Sequence, residues 1–370
     1  MSMNHGTSWP TTTRFLIAIS SFSLYFAAIS TRAAEPVELQ PVALQMLRND
    51  SVFDELKLSG EEKQKVQAVL DRVDGDWWRS RNQQDAQRIA TVAQLTTQVK
   101  SELKEILSEE SLSRFQQLER QALGIRMFLT DEVASSLGLS AVTVQKMATI
   151  AQETTAKVAE IRRRAQSGES TELLDAEQKT LAKKEQVAIV ELLTKGQKNR
   201  IGELTGAPFP LAQLQRNLPR APELTQAPEQ WLQGTPASLA ALRGKVVAVH
   251  FYAYQCINCQ RNLPHYSAWH KDYADQGLVV IGIQTPETSS ERDSKLVAAA
   301  ATKESIKYPV LMDAASENWK QWGTTMWPSV YLIDRQGYIR AWWQGEMNWQ
   351  GNPGEKQMRG YLETLLKEKS

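Results

Sequence analysis

This 370-residue chain has two cysteines, Cys256 and Cys259, three positions apart. That spacing constrains the fold more than any other feature. Cysteines that staple a small core are spread along the chain to close long loops, whereas this pair would close a tiny one. A zinc site needs four ligands, and the histidines at 5, 250, 265 and 270 supply no second pair at finger spacing. Covalent haem attachment needs a histidine directly after the second cysteine, where this chain has Gln260. A redox dithiol is therefore favoured over a structural disulfide or a metal site.

The flanking residues say how such a dithiol would work. The apolar run 246–252 reads as a buried strand, and a helical stretch over about 257–275 follows the first cysteine. A thiol at a helix N-terminus meets unpaired N–H groups and the positive end of the helix dipole, which favour thiolate over thiol. Cys256 is thus expected to be the exposed nucleophile. Cys259, one turn on, is expected to be the more buried resolving thiol.

The remainder of 221–370 alternates in kind. Strands are expected at 278–283, 329–333 and 338–343, the last two joined by a turn at 334–337. Helices are expected at 291–304 and 354–367. Strands alternating with helices indicate an α/β domain. This region also holds eight of the eleven tryptophans, most of them expected to pack on the sheet.

Residues 35–206 read differently. Gly and Pro are scarce, and Val66, Val69, Leu70 and Val73 form one helical stripe, Leu95, Val99, Leu103 and Ile106 another. Leu56-Lys57-Leu58-Ser59 is echoed 81 positions later by Leu137-Gly138-Leu139-Ser140, and Gln64-Lys65 by Gln145-Lys146. Each half ends on a Ser or Thr, Ser108 or Thr194, able to cap a following helix. Two copies of a helical hairpin account for this pattern. A proline-rich linker, 207–220, separates them from the α/β domain, so the fold class is α plus α/β. Residues 1–34 read as a signal peptide: Arg14, an apolar run too short to span a bilayer, then small residues before Pro36. A net charge of +1 argues against a nucleic-acid partner, and Arg162-Arg163-Arg164 reads as a solvated helix face.

The C-terminal region resembles the thioredoxin superfamily in its exported TlpA/redoxin branch. The resemblance rests on Ala221-Pro222-Glu223-Leu224, on residues 238–247, on Pro264 five residues after Cys259, and on Trp327-Pro328 ahead of a strand. With Cys-Ile-Asn-Cys, Arg261, Leu263-Pro264 and Thr285-Pro286-Glu287, it is most similar to the thioredoxin-like domain of DipZ-type proteins. The resemblance implies catalytic roles for Cys256, Cys259 and a cis-bonded Pro328, and a place for Trp327 in a substrate groove. Thioredoxin's buried Asp is replaced by His250, either a proton shuttle or a core imidazole. Glu287 is either an acid/base group or a solvated turn carboxylate. Asn262 stands where cytochrome-maturation members carry Glu, against a haem-maturation role. Leu193-Thr194-Lys195-Gly196-Gln197 is similar to the Leu-Thr-x-x-Gln element of Spy and CpxP-like helical proteins, which implies a surface for unfolded proteins.

The expected function is that of an extracytoplasmic thiol–disulfide oxidoreductase, with no cofactor beyond the redox-active Cys256–Cys259 pair and no metal. Its expected partners are thiols and disulfides of exported proteins and a membrane or periplasmic electron donor. Two other readings stand beside it. One is an envelope protein-binding or chaperone-like module with an accessory redox domain. The other is a thiol peroxidase, although residues 249–256 lack the Pro-x-x-x-Thr-x-x-Cys signature.

Overall fold

The computed structural model describes residues 39–166, 171–225 and 227–368. The expected signal peptide, 1–34, lies outside the described residues. The described residues divide into two compact units: one holds those from 39 to 69 together with those of Gln84–Gln215, the other Leu70–Gln83 together with the described residues from Arg216 onward.

The first unit is helical: α1 Val42–Met46, α2 Asp50–Glu55, the start of α3 Gly60–Ser80, α4 Asp85–Ile106, α5 Glu109–Leu123, α6 Asp131–Ser136, α7 Ala141–Gln166, α8 Thr171–Glu191, α9 Lys195–Asn199 and α10 Ile201–Thr205. The expected stripes are the buried faces, with Val66, Val99 and Leu103 fully enclosed. Both Leu-x-Leu-Ser elements end one helix and start the next. Ser59 and Ser140 accept from the backbone N–H three residues on, at the starts of α3 and α7. Just before them the backbone turns left-handed, at Lys57 in one case and Gly138 in the other. Glycine adopts that conformation freely, and lysine does so at a penalty. Ser108 caps α5, and Thr194 with Gln197 forms a reciprocal capping box on α9. A buried ion pair braces the second half: Arg126 Nε donates to Glu185 Oε1 at 2.8 Å and its Nη2 to Oε2 at 3.2 Å. Arg163 and Arg164 pair with Glu160 and Glu177 near the surface.

The second unit is built on a six-stranded sheet, β1 Trp231–Gln233, β2 Val246–Tyr252, β3 Leu278–Gln284, β4 Val310–Met312, β5 Ser329–Ile333 and β6 Ile339–Gln344, in the order β1-β4-β3-β2-β5-β6. β2, β3 and β4 are parallel, and β5, β6 and β1 run antiparallel to their neighbours. Helices α11 Ile257–Tyr273, α12 Ser294–Lys303, α13 Glu317–Gln321 and α14 Gly354–Lys367 complete it. Every residue of β2 is buried, because both sheet faces are covered. On one face Val246, Ala248 and Tyr252 meet Leu263, Tyr266 and Trp269 of α11 and Met358 and Leu362 of α14. On the other Val247, Val249, Phe251, Ile283 and Tyr331 meet Trp322 and Trp78.

Trp78 comes from the end of α3, which the sequence pattern assigns to the helical region 35–206. Its indole is 3 % exposed, lies edge-on to Tyr331 and Trp342 with centroids at 5.9 and 5.4 Å, and donates Nε1–H to the Trp322 carbonyl at 2.8 Å. Arg81 donates to the Trp322 and Gly323 carbonyls at 2.9 and 2.7 Å, and Asn82 to Gly323 at 2.7 Å. These contacts are why residues 70–83 group with the α/β unit. They also anchor the segment that leads to Trp327-Pro328. The short strands β1 and β4 were not expected from the sequence. The helix expected over 291–304 begins at Ser294, capped by Asp293 Oδ1, which accepts from Lys295 and Leu296 N–H.

Candidate active site

Strand β2 ends at Tyr252, and a tight turn, closed by the Cys256 N–H on the Ala253 carbonyl at 3.1 Å, delivers Cys256 to the N-cap of α11. Cys259 lies one turn inside the helix, 1 % exposed, while Cys256 is half-buried. Both are free thiols in this structure. The Cys256 thiol is lowered to about 7, first by a hydrogen bond from the Cys259 side chain and then by the backbone N–H groups of Cys259 and Asn258. Burial and the nearby Glu287 carboxylate oppose the shift. The Cys259 thiol is pushed far above the ordinary range, chiefly by burial, with the hydrogen bond to Cys256 adding to it. One sulfur is thus readily ionised and reachable, and the other is kept protonated beneath it.

Behind Cys259 lies an aromatic cage. His250 is fully buried, its Nε2 bonded to the Tyr308 hydroxyl at 3.0 Å and its ring stacked on Tyr266 at 4.2 Å. In the β2–β3 register its partner is Gly282, where an added Cβ would come within 3.0 Å of Nε2, so only glycine lets the ring lie against β3 undisturbed. Burial pushes the imidazole down to about 3, so it is neutral near pH 7. Tyr252 and Tyr266 are raised, chiefly by burial.

The Trp327–Pro328 bond is cis, and Pro328 leads into β5, whose first residue, Ser329, pairs with Phe251 of β2. The strand that carries the dithiol and the proline segment therefore end side by side. Trp327 is half-buried, stacked on Trp319 at 4.1 Å, and donates Nε1–H to the Thr285 carbonyl at 3.0 Å. The Thr285-Pro286-Glu287 loop follows β3, the other neighbour of β2, which sets Glu287 beside the dithiol turn with its side chain exposed. Asn262 is buried; it donates to Tyr266 Oη and the Gly345 carbonyl and accepts from Met347 N–H, an anchoring role. Arg261 pairs with Glu346 at 3.0 Å.

One residue escaped the sequence reading. Glu291 is fully buried and accepts from Gln255 N–H at 2.8 Å and from Glu287 and Thr288 N–H at 2.6 and 3.0 Å. Its signal was present as a capping box, Thr288-x-x-Glu291, which the pattern of a longer helix masked. Among the described residues no group of three or more His, Cys, Asp or Glu side chains is placed to hold a metal.

Residues 219–342 match the AhpC/TSA family. The chain is 45% identical over 105 residues to Protein DipZ of Mycobacterium tuberculosis, 28% of this chain and 15% of that protein. It therefore spans only a small part of that relative's length. It is 31% identical over 118 residues to the thioredoxin-like protein YneN of Bacillus subtilis, 31% of this chain and 67% of that protein. It is 25% identical over 134 residues to the thiol-disulfide oxidoreductase ResA of Bacillus thuringiensis, 36% of this chain and 71% of that protein. Through this C-terminal region, which carries the Cys256–Cys259 turn and the cis-proline segment, the chain belongs to the thioredoxin-like family, in its TlpA/redoxin branch.

Proposed function

We propose that the protein is an extracytoplasmic thiol–disulfide oxidoreductase that reduces or exchanges disulfides of exported proteins. The observation that carries this reading is the asymmetry of the two sulfurs: an accessible Cys256 lowered to about 7, hydrogen-bonded to a buried Cys259 pushed far up. In the first step the Cys256 thiolate attacks one sulfur of a substrate disulfide. A mixed disulfide forms, and the other substrate sulfur leaves as a thiolate and takes up a proton. Once Cys256 is in that bond it no longer receives the Cys259 hydrogen bond. Cys259 then loses its proton and attacks Cys256 Sγ, releasing the second substrate thiol and leaving a Cys256–Cys259 disulfide. The substrate gains two electrons and two protons, and an extracytoplasmic dithiol donor must return them.

The rest of the site fits this role. Trp327 and Pro328 flank the turn and would seat the substrate chain. His250, neutral and engaged by Tyr308, is better suited to holding the cage than to accepting the Cys259 proton. The extracytoplasmic placement rests on the export-like residues 1–34. The parallel capping of α3 and α7 supports a helical repeat, in keeping with a protein-binding surface.

Trapping tests the reading. A Cys259→Ala variant should accumulate mixed disulfides through Cys256 with exported proteins. A Cys256→Ser variant should accumulate none and should lose disulfide exchange. If Cys256→Ser keeps full exchange activity, the proposal fails.

A further inference from the structure

The carboxylate of Glu291 has no role in the exchange chemistry above, yet it is fully enclosed a few residues from an exposed loop. Burying a carboxylate is unfavourable unless hydrogen bonds replace its water. Two of its three bonds are local: with Thr288 N–H it forms a capping box, and with Glu287 N–H it closes the loop after β3. The third is not local. Oε1 accepts from Gln255 N–H, 36 positions away and directly before Cys256. A turn needs only the first two. A second link runs parallel to it, since the Gln255 side-chain oxygen accepts from Thr288 Oγ1 at 2.8 Å and from Ser290 Oγ at 3.1 Å. Five hydrogen bonds thus tie the dithiol turn and the Glu287 loop to one buried side chain and its neighbours.

We propose that Glu291 is a positioning residue of the dithiol site, locking the Glu287 loop to Gln255 so that Glu287 is held beside the turn that carries Cys256. This deepens the oxidoreductase reading and rests on it. The physical support is that the charge on Glu287 opposes ionisation of both sulfurs. A carboxylate on an exposed loop keeps such an effect only while the loop is fixed. Glu287 would then be tuned by its tether, restraining how acidic Cys256 becomes and supplying a nearby base for the second step.

The test measures the pH profile of Cys256 alkylation by iodoacetamide in the full chain, for the parent, Glu287→Gln, Glu291→Gln, Glu291→Asp and the double variant Glu287→Gln/Glu291→Gln. Glu287→Gln should lower the midpoint by about half a unit, the size expected of one charge near a partly solvated thiol. Glu291→Gln should lower it in the same direction, and the double variant should show no further fall, because a released Glu287 no longer acts on the sulfurs. Glu291→Asp keeps the charge but is one methylene too short to span both loops, so it should behave like Glu291→Gln. Additive shifts, or a parent-like midpoint in Glu291→Asp, would overturn the proposal in favour of a direct charge effect. If the Glu291 variants do not fold, amide exchange in the parent decides. The Gln255, Glu287 and Thr288 amides should exchange together and more slowly than that of exposed Ser289, and a freely exchanging Gln255 amide would overturn it. Alkylation needs no disulfide substrate, so failure of this proposal is distinct from failure of the parent chain to exchange disulfides.

Discussion

Replacing Cys259 by Ala removes the largest single cause of the low Cys256 value and leaves the Asn258 and residue-259 backbone N–H groups in place. The Cys256 midpoint should therefore rise from about 7 only part of the way to the ordinary thiol range, to about 8. At pH 7 the thiolate fraction would fall from about one half to about one tenth, roughly fivefold. The rate of alkylation should fall less. A thiolate one unit more basic is about threefold more nucleophilic, for a Brønsted slope of about 0.4–0.5. The net loss at pH 7 is then about twofold, while at pH 10 the variant should react about threefold faster than the parent. The two pH–rate profiles must cross. Cys259→Ser, which keeps a hydroxyl donor, should lie between them. The assay is iodoacetamide labelling of Cys256 across pH 5–10 with mass-spectrometric readout of the reduced protein. A midpoint that stays near 7 in Cys259→Ala, or profiles that never cross, would show that the helix terminus alone sets the acidity and that the sulfur–sulfur hydrogen bond does not.

Three further outcomes follow from packing and charge. Trp78→Ala should destabilise the α/β unit by about 3–5 kcal/mol in urea titrations of the full chain, as expected for removing a buried indole, whereas Trp77→Ala, only partly buried, should cost far less. Glu185→Ala leaves the Arg126 guanidinium buried without its carboxylate and should cost about 3–5 kcal/mol, with Arg126→Met/Glu185→Leu recovering most of the loss by thermal melting. His250 has a folded value near 3 against about 6.5 unfolded, so the unfolded chain binds the extra proton between these limits. Stability should accordingly be full above pH 6.5 and fall by up to about 1.4 kcal/mol per pH unit as pH drops toward 3. His250→Gln should flatten that part of the acid-denaturation curve, and an unchanged slope would refute the assignment.

The dithiol, its helix and the central strands were legible because each is written locally. A largely apolar run sets β2, and a cysteine at the following helix N-terminus sets the chemistry, while the cis bond at Trp327-Pro328 was implied by the resemblance to the thioredoxin superfamily. Strands β1 and β4 were not legible. Each has three residues and owes its conformation to pairing, Gln233 with Val310 and Gly282 with Val310, so no local period announces it. The bridging role of Glu291 was half visible: the capping box is in the sequence, but the bond to Gln255 depends on β2 and β3 being neighbours. His250 illustrates the same limit. Its identity was evident, while the choice between shuttle and core imidazole was decided by Tyr308, Tyr266 and Gly282, none of them near it in sequence. Trp78 fell within the helical region 35–206 because its partners on the sheet lie more than 240 positions away.

The last turn of α3 makes the α/β unit discontinuous along the chain, and this bears on how the protein is made. During synthesis Trp78 is available long before the strands it will cover, because β5 and β6 lie far downstream of it in the chain. The α/β unit therefore cannot close its second face until β5 and β6 have been made. A fragment begun at the proline-rich stretch would carry every thioredoxin-like motif and both cysteines, yet leave Trp322, Tyr331 and Trp342 without their cover. Such a fragment should be sticky and prone to association, and adding a peptide spanning residues 70–83 should restore its solubility.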